Sequence, residues 1–382
     1  MKKRRKRKNK VKKQFWIIMG IILTFLLIRF SAAYILFLRQ ESLDIQNDAE
    51  GAEEIKEDDN NKESLETSEI SYPAPEYEFK TDEITIEIPG LTRSYTLAWI
   101  SDLHLTSDFA PAEDVMEEYV ETIKQRHDTL FIHNEEKQEN EHGIYSEELW
   151  SEIIKFLNYT KIGGNRFDGI IFGGDIMDYC SQSNVELFLK EYDNLDTSIP
   201  LLYIRADHDY GFWYGGNVFT EPMAEAIHQN IAGGDDLTQK YLDFDEFMVI
   251  GVNRSNKDMS QAQYDIIKSQ YEKAKQENKP VIAVTHVPYE SQDGTFKEFS
   301  MEVKGKVYYW SYFLQEGNNI PNAVTRQYLD EIYAEDTPVV KVLAGHMHSG
   351  WDGMLTPQVS QHVFHPAYRG YIGVIHVVPL CE

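Results

Sequence analysis

The chain has 382 residues, 42% hydrophobic and 13% aromatic, enough to bury one large core or two modest ones. Its formal charge of −26 is unevenly spread: residues 1–40 hold 12 Lys or Arg and no acid, leaving 25 of the 37 basic residues against all 63 acidic ones, a net of −38. So acidic a body argues against a stable nucleic-acid partner, whose backbone needs cationic groups, and two cysteines do not make a disulfide framework.

Lys2 to Lys13 is a dense basic run, and Phe15 to Leu38 is apolar except for Arg29. At about 1.5 Å per residue this stretch spans the roughly 30 Å hydrocarbon core of a bilayer. The basic flank predicts a cytoplasmic N-terminus, with the rest of the chain outside the membrane. Arg29 would cost about 2.5–3.5 kcal/mol at mid-bilayer, which snorkelling relieves. Ser31-Ala32-Ala33 resembles a signal-peptidase site, but the apolar run continues to Leu38, which favours an uncleaved anchor. The expected organisation is a basic cytoplasmic tail at 1–14, a transmembrane signal-anchor at 15–38, an acidic flexible stalk at 39–77 and a catalytic body at 78–382. Cell-membrane localisation, single-pass with the body extracellular, follows from that order.

In the body, Glu83 to Ile88 alternates as a half-buried strand, and Pro89-Gly90 is expected to turn it back towards a strand at Leu97 to Ile100. Helical patterns at 112–124, 146–157, 185–194, 260–274 and 325–333 alternate with apolar strands at 169–172, 201–204, 248–252, 281–284 and 339–343. That alternation predicts an α/β layered domain. Cys180 and Cys381 read as two unpaired buried thiols, with a single bridge between them left open.

Metal-competent residues follow the strands directly. Asp102 and His104 come after Ile100, and Gly173-Gly174-Asp175-Ile176-Met177-Asp178 after Phe172. Arg205-Ala206-Asp207-His208-Asp209 comes after Ile204, His286 just after Val284, and Gly345-His346-Met347-His348 just after Leu343. Open α/β sheets bind ligands beyond the carboxyl ends of their strands. Carboxylates and imidazoles without thiolates suit first-row divalent ions, and a pair of such ions can clamp both oxygens of a displacement at phosphorus. Glycines beside the ligands permit close backbone approach.

These five stretches resemble the calcineurin-like metallophosphoesterases, whose pattern runs Asp-x-His, Gly-Asp-x-x-Asp, Gly-Asn-His-Asp/Glu, His and Gly-His-x-His. The resemblance runs from about Leu97 to His348, with closing strands expected to Pro379. It implies a β-sandwich flanked by helices, and a phosphoester hydrolase using two divalent ions, manganese, iron or zinc. One ion would be held by Asp102, His104, Asp175 and His348, the other by Asp175, Asp207, His286 and His346, with Asp175 shared. His208 matches the family's catalytic histidine, Arg205 a phosphate-contacting arginine, and Asp178 and Asp209 groups that orient ligands.

The usual Gly-Asn-His is Ala206-Asp207-His208 here. An ionised carboxylate only accepts hydrogen bonds, whereas an asparagine amide also donates, and the loaded centre becomes one charge more negative. Both changes favour a phosphodiester substrate over a phosphomonoester. The alternatives left open are a phosphomonoesterase and a surface binding protein with an idle metal site. Two aromatic clusters are candidate substrate contacts, Tyr210 with Phe212, Trp213 and Tyr214, and Tyr308 to Phe313 within the long Tyr289–Asp336 connection. His362, His365 and His376 read as ordinary loop or strand histidines.

Overall fold

A computed structural model describes residues 72–107, 119–127, 144–210, 241–252, 259–304 and 321–380, all within the second of two compact units, 1–69 and 70–382. The tail, the apolar 15–38 segment, most of the stalk, both aromatic clusters apart from the backbone of Tyr210, and Cys381 lie outside the described residues. Among the described residues no helix is long and apolar enough to cross a membrane, and Cys180 is a free, buried thiol.

The elements are β1 (Lys80–Ile88), β2 (Tyr95–Ile100), α1 (Ser146–Tyr159), β3 (Gly169–Phe172), α2 (Gln182–Tyr192), β4 (Leu201–Tyr203), the single turn α3 (Asp207–Tyr210), β5 (Tyr241–Asp243) and β6 (Met248–Gly251). They continue with α4 (Gln261–Glu277), β7 (Val281–Val284), α5 (Thr295–Lys304), α6 (Ala323–Tyr333), β8 (Val339–Ala344), β9 (Trp351–Met354), β10 (Ser360–Val363) and β11 (Tyr371–Pro379). Residues 120–127 are helical. Ser181, Ser260 and Asn322 cap α2, α4 and α6 by accepting from backbone N–H groups of the first turn.

Two mixed sheets form, ordered β1-β11-β2-β3-β4 and β5-β6-β7-β8-β10-β9. Period-2 side-chain alternation decides the layers. Leu97, Trp99, Ile171 and Leu202 from the first sheet meet Val249, Ile282, Val284 and Leu343 from the second in one buried layer. The opposite faces are also apolar. Ala98, Ile100, Ile170 and Phe172 pack under Trp150, Ile153 and Leu157 of α1 and Phe188 of α2. Met248, Ile250, Val281 and Ala283 pack under α4 and α6 through Ile267, Tyr271, Tyr328 and Ile332. Each Val, Leu, Ile, Met or Phe among them contributes about 1.5–3 kcal/mol on burial. Strands buried on both faces read as continuous apolar runs, which is why they were legible.

The expected return of β1 onto β2 does not form. β11 lies between them, parallel to β1 from Lys80↔Tyr371 to Ile88↔Pro379 and antiparallel to β2. The reason is apolar content: Ile372, Val374, Ile375 and Val377 are all buried, on alternating faces, so β11 must be interior. β2 and β3 run parallel, as do β6, β7 and β8, so their carboxyl ends fall together.

Candidate metal centre

The loops after β2 and β3 are zipped by main-chain bonds: the N–H groups of Asp102, His104 and Leu105 donate to the carbonyls of Gly174, Asp175 and Ile176, and Asp178 N–H donates to Leu105. Tyr368 N–H donates to the Asp102 carbonyl, and Gly345 N–H to that of His286. These bonds impose an uncommon backbone. Among the described residues, six non-glycine positions have positive φ: Asp102, His104, Asp175, His346, His348 and Asn278. Asn278 is the left-handed cap of α4; the other five are candidate ligands. Such conformations cost about 1–3 kcal/mol each and persist only where surroundings over-determine them. At Gly345 a Cβ would stand 2.4 Å from Asp102 Oδ2, and at Gly174, with φ +92°, 2.8 Å from the His286 ring. Both positions need glycine for close approach.

Three groups of side chains converge closely enough to hold a divalent ion: Asp102, His104 and His348; Asp175, Asp207, His286 and His346; and His104, Asp175 and His208. Asp175 and His104 thus stand at the junction between the groups. His104 Nε2 lies 3.1 Å from His348 Nε2, two ring nitrogens aimed at one point. Asp102 is fully buried and accepts the His346 N–H at 2.9 Å.

The outer supports fix the tautomers. A carbonyl can only accept, so His286 Nδ1 donates to Gly173 O at 2.9 Å, and His208 Nδ1 donates to Asp178 O at 2.6 Å. His286 Nε2 is then buried with no hydrogen-bond partner, although Asp175 Oδ2 is 3.0 Å away. His104 Nδ1 stands 2.9 Å from Asp178 Oδ1, the geometry of a donor to a carboxylate that leaves Nε2 to ligate. Asp178 Oδ2 accepts Arg126 Nε at 2.5 Å. Asp209 accepts the N–H groups of Asp175, Met177 and Ala206 and the Tyr203 hydroxyl, tying the β3 and β4 loops together.

Electrostatics divide the imidazoles. Burial pulls His104 down to about 4 and His346 to about 3, so both stand neutral and ready to ligate. Burial opposes protonation of His208 and His286 too, but Asp175 outweighs it, aided by Asp178 at His208 and Asp102 at His286, and both rise to about 10. Burial and then Asp175 raise the carboxyls of Asp207 and Asp209, the latter to about 6. Asp175 itself is held well below the usual carboxylate range, because His286 and His208 outweigh its burial. Orphaned His286 Nε2, the opposed Nε2 pair and an all Asp/His donor set fit divalent cations, whose binding would displace the His286 proton.

The calcineurin-like phosphoesterase family profile matches residues 95–350, about two thirds of the 382 residues. The chain belongs to that family. It is therefore a metal-dependent phosphoester hydrolase of a class that works with dinuclear divalent centres. No curated protein matches it. Among solved structures it is similar to a dimetal phosphatase from Danio rerio, at 14% identity over 72% of this chain and 88% of that one, with a TM-score of 0.41. It is also similar to a putative 5'-nucleotidase from Staphylococcus aureus, at 11% identity over 74% of this chain and 50% of that one, with a TM-score of 0.40. A third is a phosphopantetheinyl hydrolase from Mycobacterium tuberculosis, at 10% identity over 72% of this chain and 91% of that one, with a TM-score of 0.33. The activities in those descriptions belong to those proteins.

Of the residues expected from this phosphoesterase's sequence, Asp102, His104, Asp175, Asp207, His208, His286, His346 and His348 are brought together. The Arg205 side chain is fully buried, and its charge acts on Cys180 and Tyr203. Two residues had no signal in the sequence: Arg126, and Tyr368, whose hydroxyl stands 3.4 Å from His348 Nδ1. Neither belongs to a local motif. Part of the long connection after Tyr289 is α5, whose Phe296 and Phe299 pack on Trp351.

Proposed function

We propose that this phosphoesterase hydrolyses phosphodiesters outside a membrane to which residues 15–38 anchor it. The proposed ligands are Asp102, His104, Asp175 and His348 for one cation, and Asp175, Asp207, His286 and His346 for the other. The Asp/His donor set favours manganese, iron or zinc. When bound, such cations neutralise charge on the phosphoryl oxygens. The chain contributes the rest. Asp178 and Gly173 lock the rings of His104 and His286. His208, its Nδ1–H held on the Asp178 carbonyl, carries a second proton at Nε2 under the field of Asp175. That proton is available to the departing oxygen, a role worth about 10²–10⁴ in rate. Cations beside Asp175 would offset its field and ease the proton's release.

The observation supporting a diester is Asp207. It converges with Asp175, His286 and His346 where the family carries asparagine. Its carboxylate replaces a donor with an acceptor and adds negative charge, which penalises a monoester dianion more than a diester monoanion. The test is turnover of bis-p-nitrophenyl phosphate and p-nitrophenyl phosphate by the full-length protein with Mn²⁺, Fe²⁺ or Zn²⁺. The diester should be preferred, and Asp207→Asn should raise the monoester to diester ratio; an unchanged ratio removes the argument. Monoester preference in the wild type would establish a phosphomonoesterase instead. Exposure to the outside is tested by protease shaving of intact cells, which should remove the domain; a protected domain would refute that orientation.

A further inference from the structure

We propose that Tyr368 is a positioning residue: its hydroxyl holds the His348 ring so that Nε2 faces Asp102 and His104, and so sets how tightly that group binds its cation. This rests on the metal-dependent phosphoesterase reading above but not on its diester preference.

His348 needs such a group more than the other two members do. Its side chain keeps 28% of its surface accessible, against 0% for Asp102 and 1% for His104. Its Nε2 lies 3.1 Å from His104 Nε2 and 3.4 Å from Asp102 Oδ1, so this is the nitrogen turned towards the group. Nδ1 points out of the group, and among the described residues the Tyr368 hydroxyl, 3.4 Å away, is the hydrogen-bonding group beside it. The Tyr368 ring also stands edge-on to the His348 ring, with centroids 5.1 Å apart, and reaches the His104 ring at 6.0 Å.

Tyr368 is itself held in place. It lies buried in the 3-10 turn Ala367–Arg369, and the chain is pinned on both sides of it. His365 N–H donates to Asp82 Oδ2 at 3.0 Å, Ala367 N–H to the Ser101 carbonyl and Tyr368 N–H to the Asp102 carbonyl, while the Gly370 carbonyl accepts Lys80 N–H. A side chain locked by its surroundings can lock a ligand in turn. The chemistry fits. A hydroxyl offers acceptor lone pairs, and a neutral imidazole that ligates through Nε2 carries its proton on Nδ1. Nδ1–H then donates to the Tyr368 oxygen, the kind of outer contact that fixes a ligand's tautomer and ring orientation. The family profile ends at residue 350, so this turn stands outside the sequence that matches the family.

The competing role is packing, with the ring filling space beside two histidines and the hydroxyl idle. Calorimetric titration of Co²⁺ into the full-length protein, stripped of metal, separates the two without requiring turnover. Tyr368→Phe keeps the ring. It should weaken one of the two cations by about 10-fold, leave the other unchanged and alter the Co²⁺ absorption spectrum. In a His348→Ala background the same substitution should add nothing to the loss. Tyr368→Leu, which removes ring and hydroxyl together, should fall at least as far as Tyr368→Phe. Four results overturn the inference: both cations bound by Tyr368→Phe as by the wild type, both weakened alike, a loss that persists undiminished without His348, or no cation bound by the wild type. Failure of the functional reading looks different. There wild type and Tyr368→Phe differ in cation affinity as expected, yet neither turns over a phosphoester.

Discussion

The two halves of the centre are held by different means. Around Asp102, His104 and His348 the groups behind the imidazoles are side chains: the Asp178 carboxylate beside His104 and the Tyr368 hydroxyl beside His348. Around Asp175, Asp207, His286 and His346 they are largely main chain, with Gly173 O on His286 and Asp209 gathering three backbone N–H groups. A carboxylate behind an imidazole raises its basicity as well as its order, whereas a carbonyl mainly fixes orientation. The first half is therefore tuned by charge and the second by loop geometry. The halves should fail differently when each support is removed.

Asp175→Ala should have the largest effect, because it belongs to two of the three groups, one of which includes His104 from the other half. Activity should fall by more than the about 10–100-fold typical of lost outer supports, with fewer ions bound per chain by elemental analysis. Full occupancy by two ions in this variant would contradict the shared role.

Asp178→Asn and Asp209→Asn set the halves against each other. Asp178→Asn still accepts from His104 but withdraws the charge, so metal affinity should drop about 10–100-fold while the metal-free protein melts nearly as before. Asp209→Asn presents an amide to N–H donors of the β3 and β4 loops. Each backbone group left unsatisfied costs about 1–3 kcal/mol, so the metal-free protein should itself melt lower. If both variants gave the same pattern, the distinction between charge and geometry would be lost.

The smallest effect lies away from both halves, at a seam joining β1 to the second sheet. Asp82 accepts the His365 N–H, has His365 Nδ1 at 2.8 Å, and faces His362 Nε2 at 3.3 Å. Asp352 faces His362 from β9 and carries Lys341 of β8 at 2.7 Å. Burial lowers the His362 pKa, but Asp352 and Asp82 outweigh it and the net shift is upward from 6.5; Asp82 shifts downward from 3.8, its partners outweighing burial. A raised histidine adds stability that is fully present below its unfolded value and lost as pH climbs through the folded one. A lowered carboxyl adds stability present above its unfolded value and lost as pH falls. The seam is therefore strongest between about pH 4 and 6.5. His362→Gln should cost about 1–3 kcal/mol at pH 6 and less at pH 9 in thermal unfolding. A cost independent of pH would show that His362 is held by packing alone.

How much of this was written in the sequence depends on the range of the interaction. The seven expected strands and the ligand types at their ends were legible, because apolar runs and Asp-x-His or Gly-His-x-His spacings are local. The insertion of β11 between β1 and β2 was not, since strand pairing across nearly the whole described body, from Lys80 to Tyr371, leaves no local trace; nor was the His365 to Asp82 bond. Arg126 and Asp178, 52 residues apart, are joined only by the fold. The left-handed backbone at Asp102, His104, Asp175, His346 and His348 has the same origin, in bonds between loops rather than residue preference. By itself, then, the sequence determined which residue types stand at the strand ends ready to ligate a cation, because ligand chemistry resides in residue type. Only the tertiary structure decided which group stands behind each candidate ligand, burying Arg205 and setting Arg126 on Asp178, because burial and long-range contact are properties of the folded chain alone.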